Sequence, residues 1–432
     1  MRVDLLYGRG ALPLELPDDW DVSVIRKRPM PAIHDPVAAV KGALASPVGA
    51  PPLAEAARGK KTACILICDI TRPVPNGLIL PVIVRTLLDA GVPAAGITVL
   101  VATGLHRPNE GEELAELVGD PWVLETVNVV NHFARNDDDH VEIGVTSQGT
   151  RIRLDKRFVE AELRIATGLV EPHFMAGYSG GRKVIAPGVA HAETITTFHS
   201  ARFMENPLAT MGRLDDNPLH KDQLEVVEQL GGALAMNTVI DEERRLAFVN
   251  YGEIVASHLK AVDFARRYTE VAIDRRFRTV ITSSAGYPLD KTYYQTIKGM
   301  VAPVDILAPG GDMFVVSQCS EGMGSEEFVA AQRRLIELGE QRFIERITAQ
   351  RYAEIDEWQT EMQLRATRIG EVHLFTEGLK GEARGLTGVT MVDDLGTAIR
   401  AAVARHGDKS VAVIPEGPYV VPSYTPDAVA AE

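Results

Sequence analysis

Residues 173–183, HFMAGYSGGRK, hold one histidine, three glycines and one lysine. A histidine exchanges a proton near neutral pH, a lysine can form a covalent bond once deprotonated, and glycine amides can approach a phosphate. The stretch could bind an anion, carry a catalyst, or only turn the chain. Three more clusters hold similar side chains: Asp69-Ile70-Thr71-Arg72-Pro73, Leu105-His106-Arg107-Pro108 and Lys291-Thr292-Tyr293-Tyr294-Gln295-Thr296-Ile297-Lys298.

Each cluster has a plainer reading. Asp69 and Arg72 fit a surface ion pair beside a turn-forming proline, and His106 fits an ordinary loop. Gln295 and Lys298, three apart on a predicted helix, share a face that could simply be solvated. His199 ends a predicted helix, Glu193 to His199, with no His, Cys or carboxylate at zinc-site spacing beside it. One protein ligand would leave most of a metal's coordination to come from elsewhere. His191 and His220 read as surface residues, and His132 and His140 as flanks of a solvated NDDD loop.

The nucleotide motifs can be tested by counting. From Gly177, a Walker A loop would put its second glycine at 182 and Ser or Thr at 184, where Arg182 and Val184 stand. The spacing of Gly177, Gly180 and Gly181 also fails the dinucleotide fingerprint. Ser179-Gly180-Gly181 could still offer backbone N–H groups to one phosphate, and a plain glycine turn stays open. In a cleft beside Arg182, the Lys183 ammonium would be disfavoured and the amine more nucleophilic.

The elements that must position these residues alternate. KTACILICDI, GITVLVATG and ELRIATGLV are strand-like runs separated by helical stretches such as LILPVIVRTLLDAGV. A second series begins near 277 with RTVITSSAG and VDILAPGGDMFVVSQ, then SEEFVAAQRRLIELGEQRFIERI as one long helical region, then EVHLFTEG and SVAVIPEG. Buried apolar runs alternating with helices predict an α/β fold: two α/β domains with mainly parallel sheets. The polar clusters fall at strand ends, where open α/β sheets bind ligands, and together they suggest one active-site cleft between the domains. The expected boundaries are an N-terminal domain over 1–265, a helical connector over 266–276 and a smaller second domain over 277–390. The segment from about 400 to 432 is expected to pack back on the first.

Composition sets outer limits. The chain has 432 residues, 45% hydrophobic and 24% charged, as in ordinary globular proteins. A formal net charge of −14 argues against general nucleic-acid binding, which needs clustered Lys and Arg. Three cysteines, two of them in TACILICDI, make no metal or redox spacing and read as buried structural residues in a reducing compartment. No signal peptide or 18-residue apolar run is evident, so the expected location is the cytoplasm, away from membranes.

Taken together, DITRP, TGLHRP, EPHFMAGYSGGRK, PG…H and YYQTIKG resemble the nickel-pincer-nucleotide lactate racemase family, from the Tyr7-Gly8 pair through Trp358. The resemblance implies a pyridinium-derived mononucleotide bound covalently to Lys183, holding nickel through one carbon and two sulfurs, with His199 as the metal's fourth ligand. Sulfur donors with imidazole suit square-planar Ni(II). It implies a 2-hydroxy-acid racemase or epimerase, an isomerase that moves a hydride from C2 to the nucleotide and back through a 2-keto acid. His106 and His173 become the paired acid/base residues, one for each enantiomer. Arg72 becomes the carboxylate-binding residue. Asp69, Thr71 and Arg72, with Ser179, Gly180 and Gly181, would contact the cofactor, Asp69 orienting it or Arg72. Gln295 and Lys298 would contact substrate or cofactor, with Trp358 in the same cleft. Tyr294 and Leu105 are candidates for shaping the side-chain pocket. Cofactor-biosynthesis proteins would be the partners. Two other functions compete: a nicotinamide-dependent 2-hydroxy-acid dehydrogenase, disfavoured by the missing fingerprint, and a non-catalytic binder of a nucleotide or small acid.

Overall fold

The computed structural model describes residues 1–426. Residues 427–432, the end of the segment expected to pack back on the first domain, lie outside the described residues. The contacts divide the chain into two compact units. A central unit comprises residues 29–198 and 213–267, and a terminal unit comprises residues 1–28, 199–212 and 268 onward. This partition differs from the expected boundaries, for a reason of strand pairing. The strand Asp21–Val24 lies parallel to Ser410–Ile414, with Asp21 opposite Ser410, so both chain ends join one sheet. The expected connector is the end of helix Ile254–Thr269 followed by strand Glu270–Ile273, which pairs with Val421–Tyr424.

The central unit is built on a six-stranded sheet. Its order is Leu246–Glu253, Leu234–Ile240, Leu163–Leu169, Ala63–Cys68, Ile97–Ala102, Asn128–Asn131. All pairs are parallel except the antiparallel one between Leu246–Glu253 and its neighbour. The run ACILIC shows why a continuous apolar segment suits this sheet. Ala63, Ile65 and Ile67 enter one core, while Cys64 and Leu66 enter another on the opposite face, as expected when helices cover both sides. The cysteines are free thiols.

Strand order fixes where a ligand can sit. From Ala63–Cys68 the chain adds two strands outward on one side, then returns to place Leu163–Leu169 on the other. The topological switch point lies between Ala63–Cys68 and Leu163–Leu169, and a crevice forms outside the carboxyl ends of strands at such a point.

The terminal unit carries a six-stranded, wholly parallel sheet: Thr390–Val392, Glu371–Phe375, Leu307–Val316, Phe277–Ser283, Ser410–Ile414, Asp21–Val24. The long helix expected over 325–347 is two, Glu326–Leu338 and Glu340–Thr348. Gly339 breaks it at φ +77, where a side chain would be strained. No helix among the described residues is long and apolar enough to cross a membrane.

Candidate active site

Three adjacent parallel strands of the central unit deliver the first polar clusters to one sheet edge. Ala63–Cys68 ends at Asp69, Ile97–Ala102 leads to His106, and Leu163–Leu169 leads to Glu171 and His173. Across the switch point, Arg72 Nη1 donates to Glu171 Oε1 at 3.0 Å. Glu171 lies inside the motif, yet neither its type nor its spacing assigns it a role. Its position after the neighbouring strand is what makes it Arg72's partner.

Asp69 is buried, and its two carboxylate oxygens are used separately. Oδ1 accepts from the Thr71 hydroxyl at 2.5 Å and the Thr71 amide at 3.2 Å, while Oδ2 lies 2.6 Å from His106 Nδ1. Burial by itself would push this carboxyl up. The hydrogen bonds from His106 and Thr71 and the Arg72 charge outweigh burial and hold it below the usual range. The His106 ring is 61% exposed at the loop surface. Leu105 beside it is half-buried and packs on the core that contains Leu100 and Val189.

The glycine loop is held from within. The Ser179 hydroxyl donates to Leu169 O at 2.7 Å and accepts from the Glu171 amide at 3.0 Å, so its bonding closes the loop onto the strand. The Arg182 guanidinium is buried, donating to Tyr178 O and Ala176 O, each at 2.9 Å, with Nε unpartnered among the described residues. Burial lowers it to about 9. Buried His258, from helix Ile254–Thr269, donates from Nε2 to Ser179 O at 2.8 Å. Gly181 has φ +50, and a Cβ there would lie 2.7 Å from the His258 ring. Nothing in the sequence marked His258 or the inward turn of Arg182. From His173 through Ala186 every residue is buried except Lys183, on the short helix Arg182–Ile185. His173 itself is buried, stacked on Phe174 with centroids 5.0 Å apart.

The remaining candidates belong to the terminal unit. His199, just after helix Ala192–Phe198, packs against Trp358 with ring centroids 4.4 Å apart and the rings tilted by 35°. Gln295 and Lys298 lie on helix Tyr293–Val301, capped by Thr292, and Gln295 Oε1 is buried with no hydrogen-bond partner among the described residues. The Tyr294 ring packs edge-on against Phe328 at 5.2 Å, and its carbonyl accepts from Gln359 Nε2 at 2.7 Å.

Two histidines expected at a solvated loop or the surface, His132 and His220, lie inside. His132 is fully buried, with Nδ1 at 3.0 Å from Asp155 and Nε2 at 3.0 Å from Ala190 O. His220 is buried on helix Pro218–Gln229. Half-buried His140 and His191 meet His132 in series, edge-on, with centroids 5.1 and 4.9 Å apart. Polar neighbours in sequence suggested solvation; pairing of His140–Val145 with Arg151–Asp155 gives His140 partial cover instead.

With this geometry in view, the chain compares closely with known proteins. Residues 7–212 match the lactate racemase N-terminal domain, and residues 274–421 match the lactate racemase C-terminal domain. A lactate racemase of Thermoanaerobacterium thermosaccharolyticum is 31% identical over 97% of this chain and 99% of its own. One from Lactiplantibacillus plantarum is 33% identical over 88% and 89%. The structure of the Thermoanaerobacterium thermosaccharolyticum lactate racemase apoprotein superposes with a TM-score of 0.90, covering 98% of this chain and all of that one. A Thermotoga maritima protein shares the fold, with a TM-score of 0.68 at 18% identity over 90% of this chain and 98% of its own. A chain matched along almost its whole length, with strand-end clusters at the edge where this fold binds ligands, belongs to the lactate racemase family and is an isomerase of the racemase class.

Proposed function

We propose that this protein racemises or epimerises a lactate-like 2-hydroxy acid, using a nickel-pincer nucleotide carried on Lys183. The observation that carries this reading is the burial pattern of the loop: Lys183 alone is presented, between buried neighbours on both sides. The residues fit an anionic nucleotide. The buried Arg182 guanidinium contacts carbonyl oxygens and His258 Nε2, with no carboxylate partner among the described residues, so an anionic group bound at its neighbour would be favoured by its charge. His199 offers imidazole nitrogen, a donor that suits nickel beside sulfur. When bound, the group supplies the hydride acceptor and donor for C2 of the substrate.

The chain's own residues do the rest. Arg72, already oriented by Glu171, holds the substrate carboxylate, for which a guanidinium fork is well shaped. His106 and His173 move the hydroxyl proton, without which the C2 hydride would have to leave from a neutral alcohol. Gln295 and Lys298 contact substrate or cofactor. The relatives' names make lactate the first substrate to assay.

The test is direct. Protein from a host that makes the nucleotide should carry nickel and a covalent mass increase that maps to Lys183. Lys183→Ala should lose the adduct and the exchange of C2 configuration, read by chiral chromatography on enantiopure 2-hydroxy acids. Full racemase activity in Lys183→Ala would sink the proposal.

A further inference from the structure

We infer that the protein holds His106 and His173 in opposite tautomers, and that Asp69 is the positioning residue that sets the first. This rests on the reading of the two histidines as the acid/base pair, and it makes that pair unequal.

The Asp69 carboxylate can only accept, since its other oxygen is already taken by two Thr71 donors. The 2.6 Å contact with His106 Nδ1 therefore places the proton on Nδ1. A neutral imidazole carries one proton, so His106 Nε2 is bare, with no hydrogen bond to another described residue, on a ring that faces outward. His173 is the reverse. Its Nδ1 faces two backbone donors, the amides of Ala176 at 3.2 Å and Met175 at 3.4 Å. An N–H cannot accept an N–H, so Nδ1 is the bare nitrogen and Nε2 carries the proton. Burial and stacking on Phe174 hold this ring in plane, and its own chain supplies both donors two and three residues on.

The consequence concerns which proton moves first. With both imidazoles neutral, His106 Nε2 is the ready base. It takes the substrate hydroxyl proton and becomes an imidazolium paired with Asp69, in the manner of an acid-oriented histidine. His173 meets the substrate oxygen with an N–H and acts as a donor. To act as a base it must first move its proton to Nδ1, against two amides. The two faces of the substrate are thus served by different groups, although the overall equilibrium between enantiomers is unaffected.

The experiment is tautomer assignment by NMR on the full-length, cofactor-free protein labelled with 15N in its histidine rings. Long-range 1H–15N correlations distinguish protonated from bare ring nitrogens, and His106→Ala and His173→Ala spectra assign the signals. The expected result is Nδ1–H for His106 and Nε2–H for His173. In Asp69→Asn, near-isosteric at this site, the His106 pattern should become an average of both tautomers while His173 is unchanged, and kcat of loaded enzyme should fall on the order of 100-fold. The same tautomer at both histidines, the reverse pair, or an unchanged His106 pattern in Asp69→Asn overturns the inference. If the tautomers are as stated but His106→Ala keeps the full rate, the inference about the rings stands and the acid/base reading fails.

Discussion

Replacing Asp155 with asparagine probes the support beneath the candidate site. Asp155 is fully buried, and its carboxylate accepts from Arg157 Nε at 2.8 Å, Arg157 Nη2 at 2.5 Å and His132 Nδ1 at 3.0 Å. The His132 carbonyl accepts from the Thr103 hydroxyl at 2.8 Å, so this pillar reaches the start of the His106 loop. Burial would raise the carboxyl, but the Arg157 and His132 hydrogen bonds outweigh it and hold it at about 2, from an ordinary 3.8. A depressed carboxyl stabilises the fold above its unfolded value, and the contribution is lost as pH falls through the folded value. The lowered carboxyl corresponds to roughly 2 kcal/mol of stability, fully present at pH 7, with about 1 kcal/mol of it gone by pH 3. The amide of the Asp155→Asn variant cannot ionise and lacks this dependence. Urea unfolding would be followed by Trp122 fluorescence, in a Trp20→Phe, Trp358→Phe background that reports the central unit alone. The wild-type minus variant difference should be level from pH 7 to 5 and shrink by about 1 kcal/mol at pH 3. A difference that stays level to pH 3 would refute the assignment of Asp155 as an ionised, charge-paired support.

Three further outcomes are expected. Arg72→Ala should raise KM for a 2-hydroxy acid on the order of 10- to 100-fold, the worth of a charge-assisted pair; steady-state kinetics at equal cofactor loading checks this. Gly181→Ala should destabilise the central unit by roughly 2–4 kcal/mol, since its Cβ meets the His258 ring at 2.7 Å on a φ of +50; the Trp122 urea midpoint reads it. Trp358→Ala should cost the terminal unit roughly 3–5 kcal/mol through the lost buried indole, and Trp358→Phe, which keeps a ring against His199, should cost less; thermal melts compare them.

The sequence alone determined the class of fold and the catalogue of reactive groups. Apolar runs such as ACILIC and LRIATGL can satisfy a sheet buried on both faces and little else, and the order of DITRP, TGLHRP and EPHFMAGYSGGRK along the chain is specific enough to name a family. Those signals are local. The tertiary structure decided what depends on strand order and on packing between distant segments. Parallel pairing of Asp21–Val24 with Ser410–Ile414 moved both chain ends into one unit. Placement of Leu163–Leu169 beside Ala63–Cys68 made Glu171 the partner of Arg72, and pairing of Ala63–Cys68 with Ile97–Ala102 brought Asp69 and His106 to the same sheet edge. A hydrogen bond between residues 37 positions apart in sequence, or 99 for Arg72 and Glu171, leaves no trace in the periodicity of either segment. For the same reason the sequence could supply two candidate acid/base histidines but not their tautomers, which are set by whatever faces each ring nitrogen in the fold.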